Sequence, residues 1–293
     1  MSSSAGLSAS QIGVPPPEPE LAALAGFLSV RAPVLAITGA GCSTESGIPD
    51  YRAADGSWKR SPPLLFQDFL RSPDVRRRYW ARSLAGWPRV REAVPNPAHT
   101  SLARLERAGL VHWVVTQNVD GLHRRAGSRR VIDLHGRLDG VVCLGCSARF
   151  SRETFHQELL LHNPERAPGP APSAPDGDVD LEGSFEAFHV PDCRSCGGIL
   201  KPDVVLHGES VPRPRVDACF ARLAEAGGLL VAGTSLMVWS SYRFARGAAE
   251  RGLPIAAVNL GRTRADELIA LKLERPCGEA FPRILDRLGL VDP

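Results

Sequence analysis

Short apolar runs alternate with longer, helix-compatible segments along most of the chain. Five of the runs have strand-forming character, and each stops at a Gly, Asn or His: residues 33–39, 112–118, 130–136, 227–235 and 254–261. This alternation is typical of a parallel sheet wrapped by helices. We therefore predict an α/β fold with a Rossmann-like parallel sheet. Because ligands bind beyond the carboxyl ends of such strands, the polar residues that follow the runs should converge on one edge.

The alternation lapses in two places. Residues 163–178 are too rich in Pro and Gly to form a helix or a central strand. We interpret residues 137–203 as a smaller inserted module that contains this proline-rich loop. A second insertion, at about 55–98, carries a helix-compatible segment that is bracketed by prolines. The Rossmann-like domain would then comprise residues 21–136 and 204–293.

The composition is that of a globular chain with little net charge. Its 293 residues are 43% hydrophobic, which is enough to fill a core, and the formal net charge is only +3. No apolar run reaches the roughly 20 residues of a membrane span, and residues 1–20 have the pattern of neither a secretory signal nor a transit peptide. We predict a flexible leader over residues 1–20, and we expect a cytoplasmic monomer that binds neither nucleic acid nor membranes.

The first strand run leads into a glycine-rich loop. The stretch VLAITGAGCSTESGIPDYR, residues 34–52, contains Gly39 and Gly41, which let the backbone approach a pyrophosphate closely. Thr44 stands where the usual dinucleotide fingerprint has its third glycine. A tight structural turn explains a bare G-x-G equally well. The hydroxyls and Arg52 that follow serve no obvious packing need, so we interpret the loop as a candidate dinucleotide cradle.

Polar residues also follow the second and third runs. The segment TQNVDGLH places Gln117, Asn118 and Asp120 at a strand end, where burial is costly unless something polar docks there. A helix start, with Asn118 or Asp120 as the N-cap, is the alternative. The segment DLHG places His135 at the end of the next run. This histidine is either structural or, because its ring titrates near neutrality, a base for a ribose hydroxyl.

Four of the seven cysteines form two C-x-x-C pairs, Cys143 with Cys146 and Cys193 with Cys196. Two such pairs can complete a tetrahedral zinc site, and the long loop between them can extend outward without moving the ligands. A redox pair is the alternative. Because four thiolates leave no open coordination position, we predict one structural zinc ion.

Seven motifs, taken together and in order, resemble the sirtuins, a family of NAD-dependent protein-lysine deacylases. They are GAGCSTESGIPDYR, TQNVDGLHRRAG, DLHG, the paired C-x-x-C, KPDVVLHGE, GTSL and VNLG, and the resemblance covers about residues 25–290. RRYWARSLAGWP, PDGDV, SSYRF and LKLERPCGE are similar to the class II branch, which includes the sirtuin-four type. The resemblance implies NAD⁺ as co-substrate, an acyl-lysine protein or peptide as partner, and release of nicotinamide, free lysine and O-acyl-ADP-ribose.

The resemblance also implies a role for each part of the site. His135 would be the general base, Asp120 would grip the nicotinamide carboxamide, and Asn118 would arrange the ribose and a nearby water. The NAD-binding set would be Gly39, Ala40, Gly41, Ser43, Gly47, Ile48, Pro49, Asp50, Tyr51, Arg52, Gln117, Asn118, Val119, Asp120, Gly233, Thr234, Ser235, Asn259, Leu260, Gly261 and Cys277. The substrate set would be Tyr79, Arg82, Val205, Leu206, His207 and Gly208.

Two features bear on the acyl chain. His207 stands where the family commonly has Phe, which places a polar ring beside the acyl-lysine. Tyr79 and Arg82 lie three residues apart in a helix-compatible segment and resemble the carboxylate-reading pair of sirtuins that remove acidic acyl groups. We therefore predict a preference for acidic or longer acyl chains over acetyl, with a solvated arginine face as the alternative for Arg82.

Two other functions remain open at this point. One is mono-ADP-ribosyl transfer to protein, which needs the same NAD pocket. The other is a non-enzymatic sensor of NAD or ADP-ribose. The presence of both His135 and Asn118 weighs against the sensor, because binding alone does not need a base.

Overall fold

The computed structural model describes residues 18–53, 55–59, 63–166 and 183–290. Residues 1–17 of the predicted leader, and all but the first few residues of the predicted proline-rich loop, lie outside the described residues. The first helix begins at Pro19, two residues before the predicted start of the Rossmann-like domain. In the described part of the chain, no helix combines the length and the apolar character that crossing a membrane requires.

The described strands belong to two sheets. They are β1 (Val34–Thr38), β2 (Val111–Thr116), β3 (Val131–Asp133), β4 (Gly136–Cys143), β5 (Arg149–Ser151), β6 (Leu200–Val204), β7 (Leu229–Ala232), β8 (Ile255–Val258) and β9 (Leu271–Leu273). Six of them form a parallel sheet in the order β3-β2-β1-β7-β8-β9. The other three form an antiparallel sheet in the order β5-β4-β6. All five predicted runs are strands of the parallel sheet, which confirms the predicted fold class.

Helices cover both faces of the parallel sheet. The described helices are α1 (Pro19–Val30), α2 (Phe66–Arg71), α3 (Pro73–Glu92), α4 (Pro97–Arg107), α5 (Leu122–Arg125), α6 (Arg152–His162), α7 (Arg213–Ala224), α8 (Trp239–Glu250) and α9 (Cys277–Arg287). Leu28, Leu102 and Phe281 bring α1, α4 and α9 against one face. Leu223 and Phe244 bring α7 and α8 against the other. Burial from both sides explains why the central strands are continuous apolar runs rather than alternating ones.

The strand order reverses between β1 and β7. The chain leaves β1 toward β2 and leaves β7 toward β8, so the loops at the carboxyl ends of these two neighbouring strands diverge and open a crevice. Gly39 follows β1 directly, and Gly233 follows β7 directly. The predicted glycine loop therefore lies at the point of the sheet where this class of fold binds ligands.

The two predicted insertions pack as one unit. Trp80 and Leu84 of α3 share a core with Phe155 of α6 and Leu200 of β6. The indole N–H of Trp80 donates to the Leu200 carbonyl at 3.3 Å, and its ring packs edge-on against Phe155 at a centroid distance of 4.7 Å. The helical insertion and the cysteine module are thus two halves of one small domain.

Helix α3 is longer than its flanking prolines suggest. Pro73 stands at its first position, where the ring's fixed φ favours a helix start, and the Ser72 side chain caps the N–H of Val75. The second bracketing proline, Pro88, lies inside the helix, which continues to Glu92.

Candidate functional site

A cavity of about 480 Å³ lies at the crevice. The loops after β1, β2, β7 and β8, together with the start of α9, form its sheet side. Tyr79 of α3, Leu138 of β4 and residues 204–207 form its small-domain side. The polar residues that follow the predicted strands therefore do meet at one edge of the sheet.

Most of the residues predicted for the site line this cavity. They are Gly39, Ala40, Gly41, Ser43, Ile48, Asp50, Tyr51, Arg52, Tyr79, Gln117, Asn118, Val119, Asp120, His135, Val205, Leu206, His207, Gly233, Thr234, Ser235, Asn259, Leu260 and Cys277. The structure leaves five described residues of the predicted set outside the lining: Gly47, Pro49, Arg82, Gly208 and Gly261. Gly47, Gly208 and Gly261 have positive φ and shape the turns beside the cavity.

The wall at the strand reversal is made of closely packed backbone. A Cβ on Gly41 would lie 2.9 Å from the Gly233 carbonyl oxygen, and one on Gly39 would lie 2.6 Å from Cβ of Thr234. Gly233 has a φ of 58°, and a Cβ there would approach the Cys42 nitrogen to 2.4 Å. The Gly41 N–H donates to the Gly233 carbonyl at 2.8 Å. Glycine at these three positions lets the loops after β1 and β7 lock together.

Ser43 links the polar groups beneath this loop. Its buried hydroxyl donates to Oδ2 of Asp120 at 2.8 Å and accepts from Nδ2 of Asn118 at 2.9 Å. The same amide nitrogen of Asn118 donates to the Gly39 carbonyl at 3.0 Å. Removal of the Asp120 carboxyl from solvent raises its pKa, and bonds from the Leu122 N–H and the Ser43 hydroxyl oppose that rise. Asp120 thus bonds the first N–H of α5 and also lines the cavity.

His135 is held at both ring nitrogens. Nδ1 lies 3.1 Å from the Gln117 carbonyl oxygen, and because a carbonyl only accepts, this nitrogen carries the hydrogen of the neutral ring. The lone pair is then on Nε2, which accepts from the Ser240 hydroxyl at 2.9 Å. Burial lowers the pKa of His135 to about 4. At neutral pH the ring is therefore uncharged, with Nε2 as its basic atom.

Gln117 joins the strand ends on the sheet side of the cavity. Its side-chain amide donates to the Thr38 carbonyl at 3.1 Å and to the Thr234 hydroxyl at 2.8 Å. These two bonds connect the ends of β1, β2 and β7. The position of the Gln117 carbonyl, and hence of His135, follows from this arrangement of the sheet.

The small-domain side of the cavity is mainly apolar. Leu138, Val204 and Leu206 lie there with Tyr79, whose side chain is almost fully buried. Arg82, one helical turn beyond Tyr79, is half-buried and outside the lining. The cavity wall thus contains the first member of the predicted Tyr–Arg pair and not the second.

An aromatic group covers the outer part of the cavity. His207 lies 6.2 Å from the Tyr51 ring and 6.0 Å from the Trp58 ring, as measured between centroids. The guanidinium of Arg52 stacks 3.8 Å above Trp58 and donates to the Gly56 carbonyl at 2.7 Å. Arg52, predicted to meet a phosphate, is engaged with its own loop in this structure.

Several residues in or beside the cavity carry no recognisable signal in the sequence. Leu138 resembles any strand residue, and Trp58 resembles an ordinary loop aromatic. Ser240 lies 105 residues from His135 in the chain, so only the folded structure reveals their contact. The quoted segment SSYRF contains Ser240, but nothing in its spacing links it to a histidine.

The four predicted metal ligands come together in the small domain. The ligand atoms of Cys143, Cys146, Cys193 and Cys196 all lie within 4.8 Å of one another. Two of the separations are 3.5 and 3.8 Å. Zn–S bonds of about 2.3 Å in a tetrahedron require about 3.8 Å between sulfurs, so these two separations are close to those of a zinc site. The Gly145 N–H also donates to the Cys143 sulfur at 3.3 Å, as suits a thiolate.

Comparison with known proteins identifies the family. The model of the Sir2 family matches residues 39–240. An NAD-dependent protein deacetylase of Bordetella bronchiseptica is 54% identical over 91% of this chain and 97% of its own length. NAD-dependent protein deacetylase 2 of Bradyrhizobium diazoefficiens is 53% identical over 89% of this chain and 96% of its own length.

Solved structures agree with the sequence matches. A structure on the mechanism and regulation of Sir2 enzymes is 31% identical, covers 92% of this chain and 98% of its own, and has a TM-score of 0.74. A Sir2 protein bound to an acetylated peptide is 27% identical with a TM-score of 0.73, covering 92% and 99% of the two chains. Together with the matched fold and the cysteine cluster, these likenesses show that the chain belongs to the Sir2, or sirtuin, family.

Proposed function

We propose that this chain is an NAD-dependent protein-lysine deacylase, which releases nicotinamide, free lysine and O-acyl-ADP-ribose. One observation carries the proposal. A single cavity joins a glycine-rich backbone wall, the shielded carboxyl of Asp120 and a neutral His135 with its lone pair on Nε2. The names of the Bordetella and Bradyrhizobium relatives support the same activity.

The cavity fits NAD in size and in the kinds of groups that line it. A volume of about 480 Å³ suits a ligand of this class. We propose that the loop of residues 39–41 holds the phosphates together with Thr234 and Ser235, because Gly39 and Gly41 have no side chain to keep a phosphate away from the backbone. Asn259 and Cys277, both buried and both lining the cavity, would border the adenosine.

When bound, NAD supplies a ribose that loses nicotinamide and accepts the acyl group. Asp120 suits the carboxamide of nicotinamide, because a carboxyl removed from solvent gains most from an N–H donor. Asn118, fixed by its two bonds to Gly39 and Ser43, would orient the ribose. Preorganised groups of this kind stabilise a charge that develops during reaction better than mobile water does.

His135 would act as the general base. The Gln117 carbonyl keeps the hydrogen on Nδ1, so Nε2 can accept the proton of a ribose hydroxyl. The low pKa of His135, about 4, keeps Nε2 unprotonated throughout the neutral range. Ser240 occupies this lone pair in the structure, so the ribose hydroxyl would have to displace its bond.

We propose that acyl chains longer than acetyl are good substrates. The apolar surface of Tyr79, Leu138, Val204 and Leu206 supports this proposal, because a longer chain buries more of it. A preference for acidic chains would need Arg82, which lies outside the cavity lining. The apolar wall therefore supports the longer-chain part of the prediction more directly than the acidic part.

Two further parts of the proposal concern the metal and the branch. The four cysteines would hold one structural zinc ion, since the cluster has the sulfur spacing of a closed tetrahedral site. Assignment to the class II branch rests on sequence segments such as SSYRF, whose Ser240 contacts His135.

The test is product analysis with NAD and a panel of acyl-lysine peptides. Mass spectrometry should detect nicotinamide, the free-lysine peptide and O-acyl-ADP-ribose in equal amounts. ADP-ribosylated protein without acyl-ADP-ribose would contradict the proposal and favour the transferase. NAD binding with no release of nicotinamide would favour the sensor.

A further inference from the structure

An arginine beside the cavity packs against two aromatic rings at the start of α8. The guanidinium of Arg264 lies 4.4 Å from the Tyr242 ring centroid and 5.9 Å from that of Trp239. Its Nη1 donates to the Met237 carbonyl at 3.1 Å, and Met237 itself lines the cavity. Arg264 and Trp239 are both exposed. A fixed, accessible positive charge therefore lies directly behind the cavity wall.

A second arginine, Arg243 of α8, adds to this charge. Nε of Arg243 lies 3.4 Å from the Trp239 carbonyl, to which it donates. In the described part of the chain neither Arg243 nor Arg264 forms an ion pair, whereas Arg246 on the same helix binds Glu250 at 2.7 Å. We call Arg243, Arg264, Trp239 and Tyr242 the basic rim.

Two arginines from neighbouring helices lie near His135. Besides burial, the charges that lower the pKa of His135 are those of His207, Arg215 of α7 and Arg243 of α8. Arg215 donates to the carbonyl of Leu134, next to His135.

A peptide that places an acyl-lysine in the cavity would pass the basic rim. Residues 205–207 line the cavity from the small-domain side, and Met237 and Val238 line it from the sheet side. Trp239 follows Val238 directly, so a chain held between these two segments lies next to the rim.

We propose that the basic rim binds an aspartate or glutamate side chain of the protein substrate, so that acyl-lysines with an acidic residue close by in sequence are selected. This inference rests on the proposed function and names the substrate class for it. A guanidinium can bind a carboxylate through two parallel bonds. Stacking on Tyr242 fixes the plane of Arg264 beforehand, so less side-chain freedom is lost on binding.

The experiment uses the full-length protein and one acyl-lysine peptide in three versions. The two residues before the acyl-lysine and the two residues after it are all Glu, all Gln or all Lys. Both kcat/KM with NAD and peptide affinity by fluorescence anisotropy are measured. For two partly exposed ion pairs we expect Glu to exceed Gln by about threefold to tenfold in each quantity. Raising the salt to about 0.5 M should remove most of this preference.

Variants locate the effect. Arg264→Gln and Arg243→Gln should each reduce the Glu preference, and the double variant should abolish it. Arg287→Gln is the matched control, because it removes one exposed positive charge at the far end of α9. Its Glu preference should equal that of the unmodified protein.

The outcomes separate the two ideas. Equal results for Glu, Gln and Lys peptides, or a preference that survives in the double variant, would overturn the basic rim even if turnover is rapid. Charge-dependent binding without turnover would support the rim and contradict the deacylase. Absence of both binding and turnover would overturn both.

Discussion

The two sides of the cavity are built in different ways. On the sheet side, the ends of neighbouring strands present backbone and short polar side chains that are bonded to each other, as Ser43 is to Asn118 and Asp120. On the small-domain side, apolar side chains from two separate insertions meet, and four cysteines close the unit. The sheet side should therefore tolerate little change, whereas the small-domain side can be altered by single side chains.

The largest expected effect comes from the residue between the two sides. His135→Ala should lower kcat by about 10²- to 10⁴-fold, because the proton acceptor is removed. NAD affinity, measured by calorimetry on the same preparation, should change little, since the loop at Gly39 and Gly41 is untouched. Near-normal turnover would contradict the assignment of the base. Loss of NAD binding would show instead that His135 has a structural role.

The next largest effect tests whether the small domain depends on its cysteines. Cys146→Ser should leave less than about half an equivalent of zinc by elemental analysis, because three thiolates close the site poorly. Peptide turnover should fall by at least about tenfold, while NAD affinity on the sheet side stays within about twofold. Cys219→Ala, which removes a buried thiol of the sheet domain, is the control and should keep its zinc. Full zinc content in Cys146→Ser would refute the four-cysteine site.

A third prediction tests the close packing of the sheet side. Gly233→Ala places a Cβ 2.4 Å from a backbone nitrogen at positive φ, so it should cost about 3–5 kcal/mol of unfolding free energy and weaken NAD binding. Gly109→Ala also has positive φ but meets nothing within 4 Å, and should cost only about 1 kcal/mol. Urea unfolding measures both. Equal costs would show that the contact between the loops after β1 and β7 is not tight.

A fourth prediction concerns the small-domain side of the cavity. Leu138→Phe narrows the cavity beside its apolar wall. It should reduce kcat/KM for a butyryl peptide by about tenfold and kcat/KM for an acetyl peptide by less. Arg82→Met should change kcat/KM for neither peptide by more than about twofold, because Arg82 lies outside the cavity lining. A loss of tenfold or more on a glutaryl peptide in Arg82→Met would instead support the predicted Tyr79–Arg82 pair.

The smallest expected effect is on the pH dependence of stability. Burial lowers the pKa of His99 to about 4, so between the ordinary value of 6.5 and 4 only the unfolded chain takes up this proton. Stability should therefore fall as the pH falls through this range, by about 1.4 kcal/mol per pH unit for each such histidine. His99→Gln should flatten the slope measured by urea unfolding at pH 6.5 to 5. An unchanged slope would mean that His99 is protonated in the folded state.

The sheet side was largely predictable from the sequence. On the small-domain side, the sequence indicated Tyr79, residues 205–207 and the four cysteines, but not Leu138 or Val204. Strand-end residues such as Asn118 and His135 can be recognised in the sequence because apolar runs stop at them. Parallel strands then bring these residues together at one edge of the sheet. The lining by Leu138 and the bond of Ser240 to His135 depend on tertiary packing between distant segments, which leaves no local pattern. The strand β9 was missed because Lys272 stands at its centre, so its three residues do not form an apolar run.

The shared core of the small domain has a consequence for synthesis on the ribosome. Trp80 and its partner Leu200 are 120 residues apart, so the apolar face of α3 emerges long before the strand that covers it. At translation rates of about 5–20 residues per second, that face waits about 6–24 seconds for its partner. During this interval the nascent chain offers an uncovered aromatic surface to chaperones. The first insertion therefore remains without its packing partner until the second insertion has been synthesised.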